Sequence, residues 1–306
     1  MNFSAKILIT GSTGMVGSAL VRQLHRLNYR HLLTPTRQEL DLCHQTAVFN
    51  YFSTHQPEYV FHLAALVGGI HANNNYPAEF IYENTQMHCN VIHSAHQHGV
   101  SKLLFPGSAC TYPKLAPQPI AETAFLEGLI EPTNLAYAAA KINGIVMCQA
   151  YRKQYGLNTV VPMPTNAYGV GDNFDPDASH VIPALMNRLH EAKLQDLDEI
   201  QLWGSGKPLR EFIYVDDFAD ALIFLMQHYN ESELINIGTM QEISIFSLAQ
   251  KIAEVVGYQG QINLDTSKPD GTPRKCLDSS KLFALGWQPK INLEQGLKMM
   301  YQSFLS

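Results

Sequence analysis

The stretch that decides the fold is Lys6-Ile7-Leu8-Ile9-Thr10-Gly11-Ser12-Thr13-Gly14-Met15-Val16-Gly17. Its first five residues form a short apolar run that is typical of a β-strand. Residues 18–26 follow with apolar side chains roughly on one helical face, which predicts a helix. A strand, a glycine turn and a helix in this order predict the opening of a dinucleotide-binding unit.

The three glycines of this stretch have separate roles in such a unit. Gly11 permits the tight turn, Gly14 lets the backbone approach a pyrophosphate, and Gly17 lets the helix pack on the strand. The helix N-terminus offers free N–H groups and a partial positive charge to the phosphates. Three glycines alone also occur in ordinary strand-to-helix turns, but their place directly after the first strand favours the cofactor loop.

Strand-like and helix-like patterns alternate along the next part of the chain. Further strands are predicted at 32–36, 59–64, 102–105 and 159–163, and helices at 45–52, 79–98 and 134–155. This alternation predicts an α/β fold with a doubly wound parallel sheet of the Rossmann type.

The composition changes after Thr165, where Pro, Gly, Asp and Asn become frequent. We interpret this part as a smaller, discontinuous C-terminal substrate lobe. The predicted division assigns 1–165 and about 211–240 to the NAD(P)-binding domain. Residues from about 166–210 and 241–306 then form the nucleotide-sugar-binding lobe.

Composition and charge exclude several classes of protein. Hydrophobic residues make up 46% of the 306 residues and charged residues 16%, which suits a packed core. A formal net charge of -6 does not favour nucleic acid or a membrane surface as a partner. The five cysteines form no C-x-x-C pair, and the first ten residues lack the pattern of a signal peptide. We therefore expect a cytoplasmic protein with no metal and no transmembrane helix.

The end of the second predicted strand is where a dinucleotide's adenosine ribose normally lies. An acidic residue there favours NAD, whereas an arginine favours the 2′-phosphate of NADP. Arg37 thus indicates NADP, although an arginine in a solvated loop is an equally good interpretation of this residue alone. Asp41 is a candidate for the adenine side of the same site.

Ser108, Tyr137 and Lys141 form the most specific pattern. Tyr137 and Lys141 are four residues apart on a predicted helix and so share one face. A free tyrosine has a pKa of about 10, and a nearby ammonium lowers it towards neutrality. Ser108, at the end of the fourth strand, is placed to donate a hydrogen bond to a substrate oxygen. The Tyr-x-x-x-Lys spacing is common by chance, but not together with the glycine loop and this serine.

The whole arrangement resembles the extended short-chain dehydrogenase/reductase superfamily. Four further stretches narrow the resemblance, and they are 67–74 (VGGIHANN), 107–113 (GSACTYP), 179–185 (SHVIPAL) and 268–275 (KPDGTPRK). Together they resemble the GDP-L-fucose synthase family of NADP-dependent epimerase/reductases. This resemblance implies that C3 and C5 of GDP-4-keto-6-deoxy-D-mannose are epimerised and that NADPH then reduces C4. It also implies a homodimer formed through the helices at 79–98 and 134–155.

Cys110 and His180 match the family's pair for epimerisation, with the cysteine as base and the histidine as acid. A thiol of pKa about 8.5 and an imidazole of about 6.5 both exchange protons near neutrality. Considered alone, Cys110 is also a candidate for a small buried apolar residue, and His180 for a helix cap or core histidine.

The resemblance implies two further sets of binding residues. The cofactor set is Gly11, Ser12, Thr13, Gly14, Met15, Val16, Gly17, Arg37, Asp41, Ala64, Ala65, Pro106, Gly107, Lys141, Pro164, Thr165, Asn166, Ala167 and His180. The nucleotide-sugar set is Arg188, Trp203, Arg210 and Asp270. Guanidinium groups suit a pyrophosphate, while Trp203 and Asp270 also fit a packed turn and a turn cap.

Two departures from the family pattern matter. Thr13 occupies a position where some relatives carry an arginine for the 2′-phosphate, so NADH stays a less favoured cofactor. Leu135-Ala136-Tyr137 lacks the proline that some relatives place before the tyrosine. The alternatives left open are the same chemistry on another GDP-4-keto-sugar such as a deoxyheptose, an epimerase or dehydratase that retains NAD, and an NADP-binding sensor without turnover.

Overall fold

The computed structural model describes residues 1–175, 179–268 and 270–306, without the side chains of Ile70 and His71. Pro269 of the 268–275 stretch therefore lies outside the described residues. The same holds for the side chains of Ile70 and His71 in the 67–74 stretch.

A parallel sheet forms the centre of the structure. Its strands are β1 (Ile7–Thr10), β2 (Leu32–Leu33), β3 (Tyr59–His62), β4 (Lys102–Leu104) and β5 (Thr159–Val160). They lie in the order β2-β1-β3-β4-β5, and every neighbouring pair is parallel. The chain therefore winds outward from β1 in both directions, which confirms the predicted doubly wound α/β fold.

Two predicted strands are shorter in the structure, and a proline explains each difference. The strand predicted at 32–36 ends at Leu33, two residues before Pro35. The strand predicted at 159–163 is divided at Val161 into β5 and β6 (Pro162–Pro164). Proline has no N–H to donate to the ladder, so it interrupts regular pairing. β6 pairs in parallel with β10 (Ile235–Ile237), so the parallel order continues beyond β5.

Helices cover both faces of this sheet. They are α1 (Met15–Arg26), α2 (Gln45–His55), α3 (Ile70–Asn75), α4 (Pro77–Gln97), α5 (Leu135–Tyr155) and α7 (Val215–His228). Ile7 and Ile9 of β1 pack in one core cluster with the apolar sides of α1 and α7. Leu8 points the other way and packs with α2, α4 and α5. The alternation of one strand's side chains thus joins both helical layers to the sheet.

The remaining elements are further helices and the strands of smaller sheets beside the carboxyl ends of the central strands. They are β7 (Asn166–Tyr168), α6 (Val181–Leu194), β8 (Glu199–Trp203), β9 (Leu209–Tyr214), β11 (Glu242–Ser244), α8 (Ile245–Val256), β12 (Gln261–Asp265), β13 (Arg274–Lys275), α9 (Ser280–Ala284) and α10 (Leu293–Phe304). β9 pairs with β7, β11 and β13, and β8 pairs with β12. The division into a 1–165 plus 211–240 domain and a second lobe stays a prediction.

Among the helices of the described residues, none has the combined length and apolar character that a bilayer crossing needs.

Candidate active site

The glycine loop joins β1 to α1 at the carboxyl edge of the sheet. Gly11 has a φ of +71°, and a Cβ added there would lie 2.8 Å from the backbone of Ala64. A Cβ on Gly17 would collide with the carbonyl oxygen of Gly11. Gly14 caps α1, which has no side-chain cap, so the N–H groups of its first turn stay available. The loop therefore fits a pyrophosphate, because it brings bare backbone and a helix N-terminus together.

The other predicted cofactor residues follow the carboxyl ends of the neighbouring strands. Ala64 and Ala65 follow β3. The Ala64 N–H donates a hydrogen bond to Thr10 Oγ1 at 3.2 Å. Pro106 and Gly107 follow β4, and Asn166 begins just past β6. Parallel strands end at the same edge, so these segments form one wall of a cleft.

Asn166 and Thr165 are held by the backbone of Glu211. Asn166 Nδ2 and Thr165 Oγ1 donate to the Glu211 carbonyl oxygen at 3.1 and 3.2 Å. The buried Glu211 carboxylate accepts backbone N–H groups from Thr239, Met240 and Leu277 at 2.6 to 2.9 Å. Glu211 thereby joins β9 to two other loops and orients the end of β6, a role that was not predicted from the sequence.

The predicted ribose residues lie at the surface. Arg37 is exposed and forms an ion pair with Glu83 of α4 at 3.2 Å. Asp41 accepts a hydrogen bond from the Cys43 N–H at 2.9 Å and so caps its own turn. An exposed ion pair contributes only about 0–1 kcal/mol, so Arg37 can exchange Glu83 for a phosphate at little cost. Glu83 was not predicted from the sequence.

Ser108, Tyr137 and Lys141 lie near one another beside the carboxyl end of β4. Ser108 follows β4, and its Oγ accepts the Cys110 N–H at 3.2 Å and lies near enough to the Tyr137 hydroxyl to lower its pKa. Lys141 lies one helical turn after Tyr137 and is buried. Its Nζ donates to the Pro106 carbonyl oxygen at 2.9 Å and lies 4.8 Å from the centre of the Phe105 ring.

Burial dominates the electrostatics of this cluster. It lowers the pKa of Lys141 to about 7, because the charged ammonium has lost water. Burial likewise raises the pKa of Tyr137, and charge on Cys110 raises it further, while the hydrogen bond with Ser108 lowers it. Tyr137 therefore stays a protonated phenol at neutral pH, so the expectation that Lys141 lowers its pKa towards neutrality was wrong, because burial dominates. A phenol in this state can donate a proton to a nearby oxyanion.

Two buried histidines lie behind Lys141. His62 Nδ1 is 2.7 Å from Thr10 Oγ1, and His62 Nε2 is 3.0 Å from His88 Nδ1. Burial, with the charge of Lys141 second, lowers the pKa of His62 to about 3 and that of His88 well below its usual value. Both imidazoles are therefore neutral, and they add no positive charge beside Lys141.

Cys110 and His180 belong to different elements. Cys110 lies in a short 3₁₀ turn (Ala109–Thr111) directly after Ser108. Its Sγ is 3.6 Å from Nζ of Lys275, a residue that was not predicted from the sequence. His180 is the N-cap residue of α6, although its side chain makes no capping hydrogen bond, and desolvation lowers its pKa. The segment before it passes α1, where a Cβ on Gly171 would lie 3.7 Å from the Met15 Cα.

Three of the four predicted nucleotide-sugar residues line one cleft. Trp203, Arg210 and Asp270 surround it together with Pro208 and Ile245. The Trp203 ring is two-thirds exposed, at 67%, and Nζ of Lys268 lies over it at 5.7 Å from the ring centre. Arg188 lies instead on the exposed side of α6.

Asp270 is hydrogen-bonded within this cleft, and Arg210 is partly buried in it. The Asp270 carboxylate accepts the N–H and the hydroxyl of Ser205 at 2.8 and 2.6 Å, and these bonds lower its pKa. Arg210 is partly buried, and burial lowers its pKa. Asp270 therefore ties the 268–275 stretch to the turn before β9, and its oxygens keep lone pairs for a further donor.

The comparisons with known proteins agree with this geometry. The chain matches the model of the NAD dependent epimerase/dehydratase family over residues 7–238. It is 55% identical to GDP-L-fucose synthase 1 of Arabidopsis thaliana, covering 99% of this chain and 94% of the relative. It is 51% identical to the GDP-L-fucose synthase of Escherichia coli strain K12, covering 98% and 96%. The solved GDP-mannoheptose C4 reductase of Campylobacter jejuni, with NADP bound, has a TM-score of 0.91 at 38% identity and covers 100% of both chains.

Proposed function

The chain belongs to the NAD dependent epimerase/dehydratase family, and from that membership we propose that it converts GDP-4-keto-6-deoxy-D-mannose to GDP-L-fucose with NADPH. The observation that carries this proposal is the thiol of Cys110 in the same cluster as Ser108, Tyr137 and Lys141. A plain carbonyl reductase needs no thiol at that place, whereas an epimerase needs a base there.

The cofactor residues present suit NADPH. The loop leaves no room for a Cβ at Gly11 or Gly17, and α1 offers uncapped N–H groups to a pyrophosphate. Arg37 is available to a 2′-phosphate, because its ion pair with Glu83 is exposed. When bound, NADPH supplies the hydride that reduces C4.

Epimerisation uses the acidity of the carbons beside the C4 ketone. The Cys110 sulfur removes the proton from C3 or C5, and the electron pair moves to O4 to give an enolate. His180 then delivers a proton from the opposite face, so the configuration is inverted and the ketone returns. The hydroxyls of Tyr137 and Ser108 donate hydrogen bonds to O4 and stabilise the enolate.

Reduction uses the same two hydroxyls. As hydride reaches C4, negative charge develops on O4, and Tyr137 transfers its phenolic proton there. The raised pKa of Tyr137 keeps that proton in place until the oxygen becomes basic. Lys141, fixed by its bond to Pro106, then compensates the charge of the tyrosinate.

The nucleotide part of the substrate occupies the cleft of Trp203, Arg210 and Asp270 in this proposal. The guanidinium of Arg210 binds the diphosphate, because an arginine fork suits phosphate oxygens, whereas Arg188 lies outside this cleft. The base stacks on Trp203, and the lone pairs left on Asp270 accept guanine N–H groups.

We also propose a cytoplasmic homodimer. α4 and α5 pack against each other and keep apolar side chains exposed, among them Ile81, Tyr82 and Val146. Exposed apolar residues on two adjacent helices suit a four-helix interface with a second copy. All five cysteines are free, as a reducing compartment allows.

A second candidate substrate is a GDP-4-keto-heptose. It is favoured by the likeness to the Campylobacter jejuni structure, whose name specifies a GDP-mannoheptose. One additional carbon on the sugar requires a slightly larger cavity and no change in the chemistry described above.

The test combines NADPH consumption with identification of the product. Purified protein is mixed with NADPH and GDP-4-keto-6-deoxy-D-mannose in D₂O, and absorbance and NMR are recorded. Loss of NADPH with GDP-L-fucose that carries deuterium at C3 and C5 supports the proposal. Loss of NADPH with a product that is not inverted at C3 and C5 refutes the epimerase half. Turnover of the heptose substrate alone favours the second candidate, and no turnover of either substrate refutes both.

A further inference from the structure

Lys275 reaches the sulfur of Cys110 from the opposite side of the site. Its Nζ lies 3.6 Å from Cys110 Sγ, although the two residues are 165 positions apart in the chain. The conversion proposed above needs Cys110 as a base, and it leaves Lys275 without a role. Lys275 thus places a cation in contact with the sulfur that acts as the base.

The backbone around Lys275 is held on both sides. Arg274 donates three hydrogen bonds to the Glu242 carboxylate at 2.6 to 3.0 Å. The Cys276 N–H donates to Gln118 Oε1 at 3.0 Å. Lys275 itself belongs to β13, which pairs in parallel with β9. The start of the lysine side chain is therefore fixed relative to the site.

Cys110 is fixed as firmly from its own side. Its N–H donates to Ser108 Oγ at 3.2 Å, and the Thr111 hydroxyl donates to the Ser108 carbonyl oxygen at 2.8 Å. These bonds close the turn that follows β4 and aim the residue into the cleft. The contact between the Cys110 sulfur and the Lys275 ammonium thus joins two segments that are each held by their own hydrogen bonds.

We propose that Lys275 is a positioning residue for Cys110, whose ammonium holds the sulfur as a thiolate ready to accept a carbon-bound proton. The proposal rests on the epimerase/reductase function proposed above. Only the thiolate has a lone pair basic enough to take the proton at C3 or C5, and an adjacent positive charge favours that form. Lys275 keeps its own protons throughout.

The proton balance shows why such a residue is useful here. Each inversion moves one proton from carbon to Cys110, which becomes a thiol, while a second proton reaches the carbon from His180. Between the two inversions the Cys110 thiol must therefore lose its proton to water, and His180 must regain a proton from water. The ammonium of Lys275 favours the loss from Cys110, because it stabilises the thiolate and not the thiol.

A second titratable group that lies near Cys110 is Tyr137. Burial and the charge of Cys110 both raise its pKa, so the phenol is neutral when the thiolate is present. Among the groups described around the sulfur, Lys275 then supplies the compensating charge.

A second role for Lys275 is possible on the same geometry. Lys275 and Arg210 are directly paired in the register of β13 and β9, so they present their side chains on the same face. A lysine there could serve the substrate diphosphate alone. The two roles differ in the protein without substrate, where only the thiolate role affects Cys110.

The test measures the reactivity of Cys110 in the protein alone. Iodoacetamide reacts with the thiolate, and the trypsin fragment from Leu103 to Lys114 contains Cys110 as its only cysteine. Mass spectrometry of this fragment gives the alkylation rate between pH 6 and 10. We compare the native chain with K275M, K275Q and K275R, and with K298M as a control on an exposed helical lysine of α10.

Removal of the charge should slow alkylation at pH 7 by about tenfold and move the half-maximal rate to higher pH. K275M and K275Q should reach the native rate at the alkaline end, and K275R and K298M should follow the native curve. Equal rates in K275M and the native chain would overturn the proposal and leave Lys275 as a diphosphate ligand. Because no substrate or cofactor is present, this result is independent of whether the chain turns over GDP-sugars.

Discussion

Gly14 and Gly17 of the cofactor loop should respond differently to substitution by alanine. A Cβ on Gly17 meets only backbone, since it would collide with the Gly11 carbonyl oxygen and lie 2.7 Å from the Ser12 Cα. Backbone on both sides cannot move aside as a side chain can. The Cβ of an alanine at Gly14 would lie 3.5 Å from the Gly11 oxygen, an ordinary van der Waals contact.

These distances predict the effect on folding. G17A should destabilise the protein by about 1–3 kcal/mol, the usual cost of overpacking a tight interior. In a chain of this size that corresponds to a fall in Tm of about 2–5 °C. G14A replaces a glycine helix cap by alanine and should cost under about 1 kcal/mol. Thermal unfolding without cofactor therefore separates the two variants.

For Gly14 we expect a large effect on NADPH binding in place of a large effect on folding. A methyl group there occupies the space through which a pyrophosphate approaches the helix N-terminus, so Kd should rise at least tenfold, or about 1.4 kcal/mol. Fluorescence titration with NADPH gives this value on the folded variant. A Tm for G17A equal to that of G14A, or native NADPH affinity in G14A, would refute the assignment of roles within the loop.

Three other variants test the remaining parts of the site. Y137F should lower the reduction rate by at least about 100-fold while NADPH affinity stays within twofold, and unchanged turnover would refute its role as proton donor. C110S should slow deuterium entry at C3 and C5 before it affects binding, with C89S as a matched cysteine control, and native exchange would exclude the sulfur as base. R37A should weaken NADPH by about tenfold relative to NADH, and an unchanged ratio would show that Arg37 does not contact the 2′-phosphate.

The parts of the site that could be predicted from the sequence depend on short spacings. The glycine loop, and the pair of Tyr137 and Lys141, need only the geometry of one turn or one helix, and the structure has them as expected. The parallel, doubly wound class of the sheet also follows from the alternation of strands and helices, because parallel strands need crossover connections. Local patterns of this kind are properties of a few adjacent residues.

The parts that were missed depend on contacts between distant segments. Glu83 meets Arg37 across 46 positions, and Lys275 meets Cys110 across 165. Glu211 reads as an ordinary polar residue near a strand, yet it is completely buried and joins three backbone segments. No spacing rule relates such residues, because their partners are determined by which distant segments pack together in the fold.

One proton-donating pair serves both halves of the proposed reaction, and the order of the steps follows from its electrostatics. During epimerisation Tyr137 must stay a phenol, since a lost proton would leave O4 without a donor. Burial and the nearby sulfur charge both raise its pKa and keep it so. Once an inversion is complete the sulfur is an uncharged thiol, so its charge no longer raises the pKa of Tyr137. Proton transfer from Tyr137 to O4 therefore becomes easier when the carbon protons have been taken, which favours epimerisation before reduction.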